Sequence, residues 1–125
     1  LKDVVIRNGE NIGTAEVEEL LRRHPSVTDV AVIGLPDDRT GERVCSVLEL
    51  APGAAGLDVG TVGAYLEGLG LRRQAWPEQV EIVDCLPRTV AGKIEKLELR
   101  ASFSDSHGAK GPRQKSPAGP GSAST

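Results

Sequence analysis

The sequence predicts an α+β fold: a small, mostly antiparallel three-stranded sheet with flanking helices, plus an N-terminal β-hairpin. Short β-branched runs alternate along the chain with stretches whose apolar residues recur at helical spacing. The chain has 125 residues and three aromatic side chains, one Trp, one Tyr and one Phe. This length favours one domain with a modest core, which Leu, Val, Ile and Ala must build.

The hairpin and the first helix are predicted at the N-terminal end of the chain. Residues 4–6 form a β-branched run, the Asn8-Gly9 pair is a strong signal for a tight turn, and residues 10–12 form the returning arm. Thr14 is the predicted N-cap of a helix. The apolar residues of that helix follow i, i+3, i+4 spacing, and a proline ends it.

Three further runs complete the predicted sheet. Residues 27–35 and 43–50 have the composition of strands, and a short turn at 36–41 joins them. Because the connection is short, the two strands must run antiparallel. Residues 80–83 form the third strand.

Two more helices are predicted to flank this sheet. Asp58 is the expected N-cap of the first one. Its expected apolar face consists of Val59, Val62, Leu66 and Leu69. The second helix should begin at Ile94 and continue to about Phe103.

Composition excludes several classes of function. The net charge is -3, and the chain has neither a basic stripe nor an aromatic stacking platform, so we expect no nucleic-acid partner. No apolar run reaches the length of a membrane span, and no signal peptide opens the chain, so we expect a cytoplasmic protein. Cys45 and Cys85 lack the spacing of metal ligands, so we expect no metal site.

Residues 1–103 are predicted to be the folded domain, and residues 104–125 a disordered tail. Gly, Pro, Ser and Ala dominate the tail, which shows no periodicity. The chain contains no methionine and opens within a strand-like run. We therefore expect it to be part of a longer protein, with part of the functional site elsewhere.

One lysine is a catalytic candidate. Lys93 follows Gly92 in the loop between the last predicted strand and the last predicted helix, and loops on a rigid scaffold often carry catalytic residues. A lysine ammonium can neutralise a phosphate, or charge that develops on a carboxylate oxygen. The full Gly-x-x-x-x-Gly-Lys-Ser/Thr spacing of a nucleotide-hydrolase loop is missing. From spacing alone, a solvated lysine is the simpler interpretation.

Two separated stretches resemble the C-terminal lid domain of adenylate-forming enzymes, the family of acyl-CoA synthetases, peptide-synthetase adenylation domains and luciferases. The first is residues 2–18, KDVVIRNGENIGTAEVE, and the second is residues 87–96, PRTVAGKIEK. Shorter matches lie between them, at residues 24–27, 34–37, 41–44 and 76–79. The motifs keep the family's order and spacing over about residues 1–103, so the resemblance is specific.

The resemblance implies a reaction in two steps. A carboxylic acid attacks the α-phosphate of ATP to give an acyl-adenylate and pyrophosphate, and then a thiol, here coenzyme A, takes the acyl group and releases AMP. The large N-terminal domain of the same polypeptide would bind ATP, Mg²⁺ and the acid, while the small domain rotates as a lid between the steps. The fragment alone is therefore expected to be inactive.

The resemblance also implies roles for individual residues. Lys93 would be the adenylation lysine, Thr89 and Gly92 would support its motif, and Lys2 would be the hinge. The loop that lines the pantetheine tunnel would consist of Asn8, Gly9 and Glu10. Asn8 stands where many members have a second glycine, which leaves the shape of the tunnel wall open.

Ordinary structural roles are the alternatives. Lys2 could be a surface lysine and Gly9 merely a turn glycine. Arg7, Arg72 and Arg73 could contact the phosphates of coenzyme A, although solvated arginines are the simpler interpretation.

Three functional hypotheses follow from these observations. The first is the lid of a ligase for a fatty, alicyclic or aryl acid, with a role in fatty acid metabolism. The pocket for the acid would lie in the N-terminal domain, so this chain does not identify the acid. The second is a freestanding, non-catalytic α+β binding module, and the third is the lid of a peptide-synthetase adenylation domain.

Overall fold

The computed structural model describes residues 3–104, which form a five-stranded sheet with helices on both faces. The strands are β1 (Val4–Arg7), β2 (Glu10–Gly13), β3 (Val27–Asp37), β4 (Gly41–Leu50) and β5 (Gln79–Val83). The helices are α1 (Thr14–Arg22), α2 (Val59–Gly68) and α3 (Lys96–Phe103), with a 3₁₀ turn at Arg73–Ala75. Lys2 and the predicted tail after Ser104 lie outside the described residues, and the domain boundary at 103 stays a prediction.

β3 and β4 are the two longest strands of the sheet. They pair antiparallel from Val27 opposite Leu50 to Asp37 opposite Gly41. β5 lies on the other edge of β4 and runs parallel to it, because the connection between the two strands crosses over through α2. The β1–β2 hairpin joins that same edge of β4 where Arg7 lies opposite Gly41. The predicted α+β fold, with its mostly antiparallel sheet and its N-terminal hairpin, is confirmed.

β3 and β4 are buried on both faces, because helices cover each side of the sheet. Towards α1 and α2, the buried residues include Val17, Leu21, Val30, Val32, Val44, Leu48, Val62 and Leu66. Towards α3, they are Ala31, Ile33, Leu35, Cys45, Val47, Leu86 and Leu99. Burying one such Val or Leu side chain contributes about 1.5–3 kcal/mol. These two clusters hold the sheet between its helices.

The turn of the N-terminal hairpin has the geometry that its sequence predicts. Asn8 and Gly9 both have a positive φ, 54° and 77°, and Arg7 pairs with Glu10 across the turn. A two-residue turn with two positive φ angles matches the twist of the flanking strands, and Asn and Gly tolerate that backbone best. The same constraint explains how Asn8, a non-glycine residue, fits this turn with a positive φ.

The turn between β3 and β4 is shorter than predicted. β3 continues through Pro36 to Asp37 and β4 begins at Gly41, so the turn spans residues 38–40 instead of 36–41. A proline is tolerated in β3 because this strand is at the edge of the sheet. The Asp37 carboxylate accepts hydrogen bonds from the backbone amides of Arg39 and Thr40, at 2.9 and 3.1 Å, which closes the tight turn.

One of the two predicted N-caps is confirmed and one is wrong. Asp58 caps α2, since its carboxylate accepts a hydrogen bond from the Thr61 amide at 2.8 Å. Thr14 is instead the first residue of α1, and Gly13 occupies the cap position with an extended backbone. The Asp3 carbonyl, which lies outside the helix, accepts hydrogen bonds from the Thr14 amide and the Thr14 hydroxyl, both at 3.2 Å. It therefore satisfies the first free N–H of α1 in place of a side-chain cap.

The predicted apolar face of α2 is only half correct. Val62 and Leu66 are buried, whereas Val59 and Leu69 are 42% and 41% exposed. Val59 begins the helix and Leu69 follows its last residue, so both lie at helix ends that the core does not cover.

Leu66 and Leu69 are a matched pair of leucines for testing this assignment. We expect Leu66→Ala to lower the free energy of unfolding by about 2–5 kcal/mol, because it removes a fully buried side chain. Leu69→Ala should cost about 1 kcal/mol or less, because a large part of that side chain stays in water. Urea denaturation of both variants measures the difference, and equal losses would contradict the assignment.

Candidate functional site

Lys93 lies on a small closed loop, not at the start of a helix. Arg88 pairs with Ile94 in an antiparallel bridge, and the Thr89 amide donates to the Lys93 carbonyl at 2.8 Å. The Gly92 amide donates to the Thr89 carbonyl at 2.9 Å, and Gly92 has a φ of 92°, which favours glycine. The predicted start of the last helix at Ile94 is therefore wrong: α3 begins two residues later, because Ile94 completes the bridge.

The side chains of Thr89 and Lys93 differ in what they contact. The Thr89 hydroxyl accepts a hydrogen bond from the Lys93 amide at 3.2 Å, so it helps to hold the backbone of the lysine. The Lys93 side chain is exposed and forms no ion pair with another residue of the described range 3–104. The Lys93 ammonium is therefore accessible to a charged group outside residues 3–104.

Arg88 anchors the base of the Lys93 loop to the sheet. Its guanidinium donates to the Asp29 carboxylate on β3 and lies 3.6 Å from a Glu49 carboxylate oxygen on β4, which is an ion-pair distance. Burial raises the pKa of Asp29. Hydrogen bonds from the Val30 amide, Arg88 and Arg22 outweigh that effect, so the pKa of Asp29 lies below its usual value. Sequence reasoning missed this anchor, since Arg88 and Asp29 are 59 residues apart.

The predicted tunnel loop is held by two arginine–glutamate pairs. Arg72 donates to the Glu10 carboxylate at 2.8 Å, and Arg7 donates to the Glu78 carboxylate at 3.0 Å. Arg7 also donates to the backbone carbonyl of Gln74 at 3.3 Å. Arg7 is therefore more than a solvated arginine, whereas Arg72 pairs with Glu10 while 46% of its side chain stays exposed. Both connect the hairpin to the segment that precedes β5.

The tip of the hairpin is itself open to solvent. The Asn8 amide donates to the Thr40 carbonyl at 2.8 Å, which leaves the turn beside the start of β4. A Cβ added at Gly9 would meet no heavy atom within 4 Å. The third predicted arginine, Arg73, lies with its guanidinium carbon 5.4 Å from the ring centroid of Trp76.

The Lys93 loop and the hairpin turn lie at opposite ends of β4. Arg88 reaches Glu49 near the last residue of the strand, whereas Arg7 pairs with Gly41 at its first residue. Eight residue steps separate Gly41 from Glu49, which corresponds to about 26 Å of strand. The structure therefore does not bring the two predicted site regions together.

The remaining candidates give no further site within residues 3–104. Cys45 is fully buried, which raises the pKa of its thiol above the usual range, while Cys85 is exposed. No group of three or more His, Cys, Asp or Glu side chains in that range could hold a metal ion. None of the described helices is both long and apolar enough to cross a bilayer.

Comparison with known proteins identifies one family. The sequence model of the AMP-binding enzyme C-terminal domain matches residues 16–93. Triostin synthetase I from Streptomyces triostinicus is 44% identical over 101 residues, which are 81% of this chain and 19% of that protein. A medium-chain fatty-acid–CoA ligase from Escherichia coli (strain K12) is 37% identical over 99 residues, or 79% and 18% of the two chains. The chain thus spans less than a fifth of the length of these curated relatives.

A solved structure shows the same fold. The crystal structure of ATP-bound MatB from Rhodopseudomonas palustris superposes with a TM-score of 0.79 at 35% identity. The match covers 85% of this chain and 21% of that one.

Acid should weaken the fold through Asp29. Because the folded pKa of Asp29 is lowered, its contribution to stability is complete above its unfolded value of about 4 and is lost as the pH falls through the folded value. When the pH falls from about 6 to about 3, we expect the free energy of unfolding to decrease less for Asp29→Asn than for the unsubstituted chain. Urea unfolding at both pH values measures this. Asp84→Asn, which changes an exposed carboxylate, is the control, and an identical pH dependence for all three proteins would contradict the assignment.

Proposed function

Because the chain belongs to the AMP-binding enzyme C-terminal domain family, we propose that it is the mobile lid of an ATP-dependent carboxylic acid–CoA ligase. Its substrates would be a fatty, alicyclic or aryl acid, ATP and coenzyme A. The N-terminal adenylation domain of the same polypeptide would be its partner and would bind most of the ATP, the acid and Mg²⁺. The predicted cytoplasmic location and the inactivity of the isolated chain stay predictions.

The observation that carries this proposal is the position of the two loops at opposite ends of β4. A lid that serves two chemical steps needs two separate faces, because each step must exclude water around a different pair of reacting atoms. Rotation of a rigid domain can then exchange one loop for the other at a fixed active site. The two buried clusters that cover both faces of β3 and β4 provide this rigidity.

In the first step, a carboxylate oxygen of the acid forms a bond to the α-phosphorus of ATP, and the bond to pyrophosphate breaks. Negative charge on the phosphoryl oxygens shifts in the transition state, and a cation beside them lowers the barrier. Lys93 suits this role because its ammonium is exposed while its backbone is held by Thr89 and Gly92. Arg88 would keep the loop on the sheet as the lid closes.

In the second step, the thiol sulfur of coenzyme A attacks the acyl carbon, loses its proton, and AMP leaves. The hairpin turn would form one wall of the channel for the pantetheine arm. Gly9 suits this role because it lacks a side chain at an open position with a positive φ. The pairs Arg72–Glu10 and Arg7–Glu78 would hold this wall against the domain.

A second candidate function is the lid of a peptide-synthetase adenylation domain. The similarity to triostin synthetase I favours it. The two candidates differ in the thiol, since a synthetase would transfer the acyl group to a carrier-bound phosphopantetheine instead of free coenzyme A. Assay of the complete polypeptide with each thiol distinguishes them. A non-catalytic module would release no pyrophosphate with any acid.

Replacement of Lys93 tests the first step. In the complete polypeptide, we expect Lys93→Ala to slow pyrophosphate release by roughly 10²–10³, because a transition-state contact with a charge is lost. Conversion of a supplied acyl-adenylate to thioester should persist, since Lys93 would be rotated away in that step. Val90→Ala, at the exposed tip of the same loop, is the control and should leave both rates unchanged. An equal slowing of both steps by Lys93→Ala would contradict the role.

Replacement of Gly9 tests the second step. We choose Gly9→Asn because Asn tolerates a positive φ, so the variant adds a side chain with little backbone strain. The added side chain should obstruct the pantetheine channel and misalign the thiol with the acyl carbon. Thioester formation should therefore fall at least about tenfold, while pyrophosphate release persists. Gly53→Asn is the matched control, because Gly53 also has a positive φ and nothing within 4 Å of an added Cβ. Equal effects of the two substitutions would show that the site near Gly9 has no special function.

A further inference from the structure

Lys96 differs sharply from Lys93, although the two residues are separated by only three positions. The Lys96 side chain is 19% exposed and its ammonium contacts three oxygen-bearing side chains. It pairs with the Asp3 carboxylate, lies 2.7 Å from a Glu18 carboxylate oxygen, and is 3.4 Å from the Thr14 hydroxyl. Lys96 thus joins the first turn of α3 to α1 and to the segment before β1.

Glu18 extends this contact to the sheet. Its carboxylate is 13% exposed and accepts a hydrogen bond from the Val32 amide at 2.9 Å. Val32 belongs to β3, whose outer edge has no neighbouring strand in the sheet of residues 3–104. Glu18 therefore accepts a hydrogen bond from an amide at the open edge of β3. Lys96 neutralises the negative charge of the Glu18 carboxylate at this edge.

Asp3 is held from two directions. Its backbone carbonyl accepts hydrogen bonds from the amide and the hydroxyl of Thr14, both at 3.2 Å. Its carboxylate contacts Lys96 and, at 3.7 Å, the guanidinium of Arg100. Asp3, which directly follows the proposed hinge residue Lys2, is therefore fixed to α1 and α3 at once.

We propose that Lys96 is a positioning residue that fixes the hinge-proximal Asp3 to the helix that follows the Lys93 loop. This inference rests on the proposed function. With the contact in place, rotation about residue 2 carries the Lys93 loop with it as part of a rigid body. Without this contact, Asp3 is no longer fixed to α3, and the Lys93 loop is displaced from the reacting groups when the lid closes. A displacement of about 1 Å at a reacting centre can cost on the order of 10² in rate.

The chemistry of the contact requires a cation. Lys96→Met keeps most of the apolar stem but leaves the carboxylates of Asp3 and Glu18 without the ammonium that separates them. Lys96→Arg keeps the positive charge and brings more donors, so it should preserve the contact. The two variants therefore separate a role of the charge from a role of the stem.

The experiment uses the complete polypeptide with Lys96→Met, Lys96→Arg and a control, Arg23→Met. Arg23 forms an exposed pair with Glu19 on α1, at 3.9 Å, so its loss should change nothing. For Lys96→Met we expect faster amide hydrogen exchange at Thr14 and Val32. We also expect a kcat for pyrophosphate release about tenfold lower, with the KM for ATP within about twofold. Lys96→Arg should restore both readouts.

Each of the following results would overturn the positioning role of Lys96. One is unchanged exchange in Lys96→Met, and another is faster exchange with an unchanged kcat. The third is an equal loss in Lys96→Met and Lys96→Arg together with a lowered melting temperature, which would indicate a general folding defect. If any of these results is found while Lys93→Ala slows pyrophosphate release, only the positioning role of Lys96 is overturned. An unimpaired Lys93→Ala would overturn the proposed function as well.

Discussion

β4 is hydrogen bonded along both of its edges, and each of the two proposed functional regions lies at one end of it. β3 pairs with one edge over the full length, while the other edge is divided between β1 at Gly41 and β5 from Cys45 to Glu49. A strand buried on both faces and paired on both edges leaves little freedom to bend. The hairpin turn and the Lys93 loop are therefore held about one strand length apart, which the proposed lid with two separate working faces requires.

Charged pairs then connect the hairpin, the Lys93 loop and α3 to other parts of the domain. Each joins residues that are far apart in sequence: Arg88 with Asp29, Arg7 with Glu78, and Lys96 with Asp3. An exposed ion pair contributes little to stability. These pairs are partly buried and lie at the base of loops, so their main effect is on where a loop lies.

Two lysines in one short segment illustrate how environment separates roles. Lys93 is exposed on a loop that its own backbone closes, whereas the ammonium of Lys96 lies between two carboxylates. The same residue type thus presents a charge outwards in one place and neutralises partly exposed carboxylates in the other. Sequence reasoning selected the first lysine from its motif and passed over the second, because nothing local marks its partners.

The sequence by itself determined the features that depend on neighbours in the chain. The turn at Asn8 and Gly9, the Asp58 cap and the antiparallel β3–β4 pair all follow from local backbone preferences and short connections. Only the tertiary structure decided the parallel pairing of β5, the exposure of Leu69 and the ion pairs around Arg88 and Lys96. These features depend on how distant elements pack against one another, and the spacing of apolar residues within one element does not determine that packing.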